Sequence, residues 1–263
     1  MPHEREDRSR AGPLARRFQD SKTLKNPPLV TPSGGEGAQR YVVLDGANRV
    51  AAARASGFRD FLVQRVPYQE PPVRLCTWHH ALTQTSLDAL EHRFDSIAGL
   101  RTQREDTGHA RALLARREAI AFIVCGKTGT LTLHGEGTLA ERNDLLNSVV
   151  DGYAREVPFY RVMRDSLEDA RARHPDVTSL VVFPRFQPDE ILDLAVSGAR
   201  LPAGITRHVI EGRALRVNLP LDVLEDTARS LEEKNRWLSG WIAERVQSGR
   251  VRYYEESTVL FDE

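Results

Sequence analysis

The stretch Tyr41-Val42-Val43-Leu44-Asp45-Gly46-Ala47-Asn48-Arg49-Val50-Ala51-Ala52-Ala53-Arg54-Ala55-Ser56-Gly57-Phe58 decides how this chain is read. An apolar run rich in β-branched residues breaks at Asp-Gly. An alanine-rich segment of high helix propensity follows, closed by Gly57. The pattern predicts strand, tight turn, helix. In that geometry the unpaired backbone N–H groups of the helix's first turn, with the Asn48 and Arg49 side chains, face whatever lies beyond the strand's end, which suits a phosphate. Asp45 stands at the lip, where a carboxylate can hold Mg²⁺ or accept a proton from a hydroxyl. The plainer alternative is that Asp45 caps the helix.

Outward from this motif, composition narrows the class. The 263 residues are 40% hydrophobic and 28% charged, ordinary for a soluble globular protein and long enough for two domains or one large one. Lys plus Arg and Asp plus Glu balance at 37 each, so no global excess of charge argues for nucleic acid or an anionic membrane. Basic residues gather early (Arg5, Arg8, Arg10, Arg16, Arg17, Lys22, Lys25), but Glu4, Glu6, Asp7 and Asp20 dilute them. Two isolated cysteines, Cys76 and Cys125, fit buried thiols in a reducing compartment better than a disulfide framework. No apolar run approaches the roughly 20 residues that span a bilayer, and the polar N-terminus is no signal peptide. The expectation is a cytoplasmic protein.

Two units are expected, residues 1–70 and 71–263, joined at the proline-rich Pro67 to Pro72. In the first, residues 14 to 20 read as a short helix and Asn26-Pro27-Pro28-Leu29-Val30 as the entry to a strand. Gly34-Gly35-Glu36-Gly37 reads as a turn and Phe61 to Val66 as a further strand. In the second, helices are expected near 83 to 92 and 108 to 117, and a hairpin pairs Ala119 to Val124 with Thr130 to His134. Two more helices bracket the Leu180 to Phe183 strand, and Pro188 to Ser197 reads next as a helix. Strands follow through Val209-Ile210 and Leu215-Arg216-Val217, then one long helix from 221 to 247. Alternating strands and helices imply an α/β or α+β fold.

Three motifs invite readings that the chemistry does not support. Gly126-Lys127-Thr128 lacks the glycine a P-loop requires five places earlier, where Ala121 stands, and strand-like Leu131-Thr132-Leu133 follows instead of a helix. Cys76, His79 and His80 have no second Cys/His pair at zinc spacing. Trp237 and Trp241, four apart on one helix face, suit a core or an interface rather than base stacking.

The order of signals resembles a known arrangement: an early Glu, then Leu24-Lys25-Asn26-Pro27-Pro28-Leu29-Val30, then Tyr41 to Arg49 entering a helix. It is similar to the ParB/sulfiredoxin-like fold, whose members bind nucleotide phosphates with a Gly-x-x-Arg segment at this turn. Asp45-Gly46-Ala47-Asn48-Arg49 resembles the Asp-Gly-x-x-Arg of the free L-serine kinases, which make O-phospho-L-serine. Leu75 to His80, Leu201 to Ile210 and Gly212 to Asn218 resemble segments that complete the serine pocket there. The closest likeness is to the bacterial form associated with siderophore biosynthesis, where phosphoserine feeds a diaminopropionate-forming step.

The resemblance implies an ATP- or ADP-dependent kinase using Mg²⁺, with Gly46, Ala47, Asn48 and Arg49 on the nucleotide and Asp45 near the metal. Either Glu4 or Asp45 takes the hydroxyl proton. Trp78, His79, Thr206, Arg207 and His208 hold serine, Arg207 meeting its carboxylate. Partners are then L-serine and nucleotide, with no membrane; a homodimer is compatible. One departure stands out: the family's catalytic Glu follows an N-terminal strand, whereas Glu4 adjoins the start, so the strand is lacking or the true start lies upstream of Met1. A residue so close to an end frays unless tied down. A ParB-like regulator that binds DNA under nucleotide control is the alternative. The basic N-terminal cluster favours it; the neutral charge and the lack of a clear helix-turn-helix after residue 80 oppose it.

Overall fold

In the computed structural model, the described residues are 1–6, 13, 14, 16, 18, 20–33, 40–68, 73–126 and 129–253. Their elements run β1 (Thr23–Leu24), β2 (Leu29–Ser33), β3 (Arg40–Asp45), α1 (Ala47–Ala55), β4 (Gln64–Arg65), β5 (Val73–Thr77), β6 (His79–Thr83), α2 (Leu87–Phe94), β7 (Arg101–Glu105), α3 (Thr107–Ala115) and β8 (Ala121–Cys125). There follow β9 (Gly129–His134), α4 (Leu139–Ala154), β10 (Phe159–Val162), α5 (Leu167–Arg173), β11 (Val177–Val182), α6 (Pro188–Ser197), β12 (Thr206–Ile210), β13 (Leu219–Pro220), α7 (Asp222–Glu225) and α8 (Leu231–Gln247). The fold is mixed α and β.

The chain forms two units, neither contiguous: residues 1–5, 32–42 and 74–209 make one, and 6–31, 43–73 and 210–263 the other. The expected linear division at 70/71 is therefore replaced by one that the chain crosses repeatedly, because β2 and β3 each run from one unit into the other.

The first unit is built on a six-stranded sheet of order β10-β6-β11-β8-β9-β7, antiparallel at every neighbouring pair. Its central strands carry Ala81, Phe122, Leu180 and Val182, all essentially inaccessible, and Leu113, Leu114 and Ala170 of α3 and α5 join their cluster; Leu131 and Leu133 of β9 are equally buried. Each buried Val, Leu or Phe side chain among them contributes on the order of 1.5–3 kcal/mol by leaving water. Helix α4 begins in a capping box, Thr138 accepting from the Glu141 N–H while Glu141 accepts from that of Thr138. Its buried stripe of Leu146, Val149, Val150 and Tyr153 also contains two asparagines, Asn143 and Asn147.

The second unit holds β4 beside β2 in parallel, Leu29 opposite Gln64 and Val30 opposite Arg65, and the short antiparallel pair β1 with β13. Phe18, Leu24, Ala52, Ala53, Leu219, Leu221 and Leu224 form its core, with Phe58, Phe61, Trp237 and Trp241 packed against it. The tryptophans thus serve the core, 6.0 Å apart between ring centroids. Lys234 of α8, 5% exposed, is neutralised by Asp60 at 2.9 Å.

The hairpin of β8 and β9, the helix from Pro188 to Ser197 and the strand, turn and helix around Asp45 form as the sequence predicts. Other expectations are corrected. Residues 61–63 are not strand, since the segment pairs with β2 only at Gln64 and Arg65 while Phe61 turns into the Phe18 and Phe58 cluster. Residues 215–217 are not strand either: Arg216 and Asn218 take positive φ, which breaks an extended run. The helix expected from 221 to 247 is two, because Ser230 and Glu233 form a capping box that starts α8 anew. Residues 79–83 are strand β6, and α2 begins only at Leu87, capped by Ser86. Gly34 to Gly37, the linker residues 69–72, and Lys127 and Thr128 lie outside the described residues. Among the described residues no helix is long and apolar enough to cross a membrane.

Candidate functional site

In the second unit, β3 ends at Asp45 and α1 starts at Ala47, leaving Gly46 to make the turn with φ 93° and ψ 27°. Only glycine suits this conformation, and a Cβ here would also lie 2.7 Å from Nη2 and 2.9 Å from Nε of Arg49. No side chain caps the helix. The helix-cap reading of Asp45 therefore does not hold, and the positive end of the helix dipole lies beside its carboxylate.

Asp45 instead gathers cations. Its Oδ2 accepts from Arg49 Nη2 at 2.9 Å, one helical turn on, and from Arg213 Nη2. Burial pushes the Asp45 carboxyl up, but the guanidinium groups of Arg213 and Arg49 outweigh it and hold it below the usual carboxylate range. One negative and two positive charges leave the cluster net cationic. The Nε atoms of both arginines are buried and, among the described residues, have no hydrogen-bond partner. Such donors await an acceptor, and phosphate oxygens supply several. Ala47 and Asn48 lie in the same first turn, both partly exposed.

Arg213 is the residue that assignment of roles from sequence missed. It sits in a segment without regular structure, placed by side chains distant in the chain. Gln64 Nε2 donates to the Gly212 carbonyl and Gln64 Oε1 accepts from the Ala214 N–H, both at 2.9 Å, while Asn26 Oδ1 accepts from the Arg216 N–H at 2.8 Å. The only sequence signal was the likeness of Gly212 to Asn218 to a pocket segment.

In the first unit, Glu4 is tied down despite its place near the chain's start. It forms a parallel bridge with Leu201, flanked by Leu201 N–H to His3 O at 2.9 Å and Arg5 N–H to Leu201 O at 2.8 Å. Its carboxylate accepts the Gly204 N–H at 2.8 Å on Oε2 and the Thr206 N–H at 2.7 Å on Oε1. The Thr206 hydroxyl bonds Oε1 as well. A carboxylate offers about four lone-pair positions, so Oε2 keeps capacity for one more donor. Thr206 Oγ1 also lies 2.7 Å from His3 Nε2, and the buried His3 and His208 rings meet edge to face at 5.1 Å. Glu4, Thr206 and His208 are thus brought together, with His3 added.

Alternation along β12 turns Arg207 to the face opposite Thr206 and His208. Its guanidinium lies over the Trp78 ring, 4.8 Å from the centroid, beside the Met163 sulfur. Among the described residues it has no acidic partner. His79 is buried with its Nδ1 accepting the Phe183 N–H at 3.2 Å. Burial, with Arg185 and Arg111 nearby, pushes it down to about 4, so it is neutral at pH 7 and its Nδ1 ties β6 to the residue that follows β11. Cys76 is half-buried and Cys125 buried, both free thiols. Among the described residues no three His, Cys, Asp or Glu side chains converge to hold a metal ion.

These elements and this topology are the fold of the free serine kinases. The structure superposes on that of a free serine kinase in complex with AMP with a TM-score of 0.71 at 18% identity, over 85% of this chain and 89% of that one. It superposes on SbnI with C-terminal truncation from Staphylococcus aureus with a TM-score of 0.72 at 20% identity, over 93% of this chain and 92% of that one. In sequence, the chain is similar to the ATP-dependent L-serine kinase SbnI of Staphylococcus aureus, 24% identical over 227 residues, 85% of this chain and 80% of the relative. The ATP-dependent L-serine kinase of Desulfurococcus mucosus is 23% identical over 227 residues, 84% of this chain and 86% of the relative. The chain matches no protein-family model.

Proposed function

We propose that this protein phosphorylates free L-serine to O-phospho-L-serine with ATP. The observation that carries the reading is the cationic cluster at the end of β3, where Asp45 holds Arg49 and Arg213 beside an uncapped helix N-terminus. Phosphoryl transfer asks for positioning and charge neutralisation more than for covalent chemistry. Gly46 lets the backbone approach the phosphates, the first-turn N–H groups of Ala47 and Asn48 donate to them, and Arg49 and Arg213 grip them with planar forks. Glu4 takes the proton of the serine hydroxyl on the open position of Oε2, its orientation set by Gly204 and Thr206. His208 walls this pocket beside His3. Arg207, backed by Trp78, meets the serine carboxylate.

One carboxylate, with Oδ2 already shared by two guanidinium groups, is a poor resident metal site; Asp45 would hold a Mg²⁺ carried on the nucleotide's phosphates. Such an ion, when bound, neutralises charge on the transferring phosphoryl group. The reaction belongs in the cytoplasm, which suits two free thiols, and the product feeds a diaminopropionate-forming step.

The test is mass spectrometry of a reaction holding the full chain, L-serine, Mg²⁺ and ATP, with ADP as a parallel donor. O-Phosphoserine is the expected product. Its absence with both donors, from folded protein, overturns the proposal.

A further inference from the structure

The placement of Glu4 raises a physical question: what holds a residue so near the start of the chain to within the few tenths of an ångström that proton transfer demands? A single parallel bridge is weak, and the groups that surround the carboxylate belong to the 201–206 segment, which has little regular structure of its own before β12. Both strands of the bridge must be anchored to something rigid.

That anchor lies on α4. Asn147, 9% exposed, sits on the buried stripe of this sixteen-residue helix. Its Nδ2 donates to the Arg200 carbonyl at 2.8 Å, immediately before Leu201, and to the Asn143 carbonyl one turn back at 3.0 Å. Its Oδ1 accepts from Arg5 Nη1 at 3.1 Å, immediately after Glu4. One buried amide therefore grips both strands of the bridge, at residues adjacent to Leu201 on one side and to Glu4 on the other. Asn143 Nδ2 adds a second bond to the Arg200 carbonyl at 3.0 Å. Asparagine costs helix propensity in mid-helix and desolvation in a core, and an apolar residue would serve packing better. Two hydrogen bonds at Asn147 and one at Asn143, to two distant segments, repay that cost only if the segments must be held.

We infer that Asn147 is a positioning residue for Glu4: its amide fixes the Leu201 bridge from a rigid helix and so sets the carboxylate against the serine hydroxyl without touching substrate. The inference rests on the kinase reading for its catalytic consequence, though not for its structural one. Arg5 also pairs with Asp151 at 2.8 Å, but both side chains there are more than 40% exposed, and a pair so wet contributes little. Asn147 is itself buried, and its bond to Arg5 is the better shielded of the two.

Two measurements on the full chain test this. In Asn147→Ala, kcat for serine phosphorylation should fall on the order of 10–100-fold, the size expected when a reacting group is displaced by about an ångström, while the KM for ATP stays within about twofold. Asp151→Asn should leave kcat within about twofold of the native value. Hydrogen exchange should quicken selectively at the Arg5 and Leu201 amides of Asn147→Ala, with the β8 and β11 core amides unchanged. Unchanged exchange at Arg5 and Leu201 overturns the brace, as does a native kcat in Asn147→Ala. Exchange that quickens throughout the sheet also overturns it, since Asn147 would then serve general stability. A native protein without serine kinase activity counts against the function proposed above, and the exchange result still decides the brace.

Discussion

Replacing Arg213 with alanine tests the cationic cluster where the sequence offered least guidance. In the native protein one carboxylate faces two guanidinium groups, so the cluster carries a net single positive charge; without Arg213 the remaining pair is neutral. A charge-assisted hydrogen bond contributes about 1.5–3 kcal/mol. The Arg213 side chain is 31% exposed and Asp45 38%, so solvent screening places the effect at the lower end, about 1.5 kcal/mol or roughly tenfold in nucleotide Kd. Because both arginines share Asp45, the losses are not independent. Removing Arg213 draws Asp45 wholly onto Arg49 and blunts that arginine too, so Arg49→Ala with Arg213→Ala should cost less than the sum of the single changes. Arg213→Lys should recover only part of the affinity, since an ammonium lacks the planar fork. Calorimetric titration with ADP or a non-hydrolysable ATP analogue reads the four variants against the native protein. Native affinity in Arg213→Ala would refute the reasoning and leave Arg213 as a mere prop for Asp45; strictly additive losses would refute the shared-carboxylate argument.

Asp45→Asn keeps size and removes charge, so turnover should fall steeply while ADP affinity, read by the same titration, changes modestly; near-native turnover would remove Asp45 from the chemistry. Arg207→Ala should raise the KM for serine strongly and leave nucleotide affinity untouched, whereas ethanolamine, which lacks the carboxylate, should be a poor substrate for the native protein and little affected by the change. Equal losses for both would show that Arg207, on the face of β12 opposite Thr206, does not read the carboxylate. Burial, with Arg185 and Arg111 near His79 and Arg161 and His79 near His80, lowers their pKa values to about 4 and about 3. Their folded pKa values lie below the unfolded value near 6.5, so the stability this confers is complete above pH 6.5 and lost progressively as pH falls toward 4. Thermal melting should therefore drop across that window, and a flat profile between pH 6.5 and 4 would contradict the burial of both rings as neutral bases.

What the sequence determined by itself was local. The β-branched run, the Asp-Gly break and the alanine-rich segment make β3, the Gly46 turn and α1, because those preferences act within a few residues of each other. The same is true of the β8 and β9 hairpin and of α6, opened by Pro188 and closed by Gly198. Polar strands such as Arg101 to Glu105 were illegible: at the edge of a sheet one flank faces water, and the alternation that marks a strand disappears. Tertiary structure alone decided that Asp45 pairs with Arg213 across 168 positions and that Glu4 is clamped by Gly204 and Thr206 across 200 or more. It also decided that an asparagine inside α4 grips the segments on either side of that clamp. Pairings of this kind carry no local signature, since a carboxylate or an amide takes any partner of the right chemistry and only the path of the chain within each unit selects which one arrives.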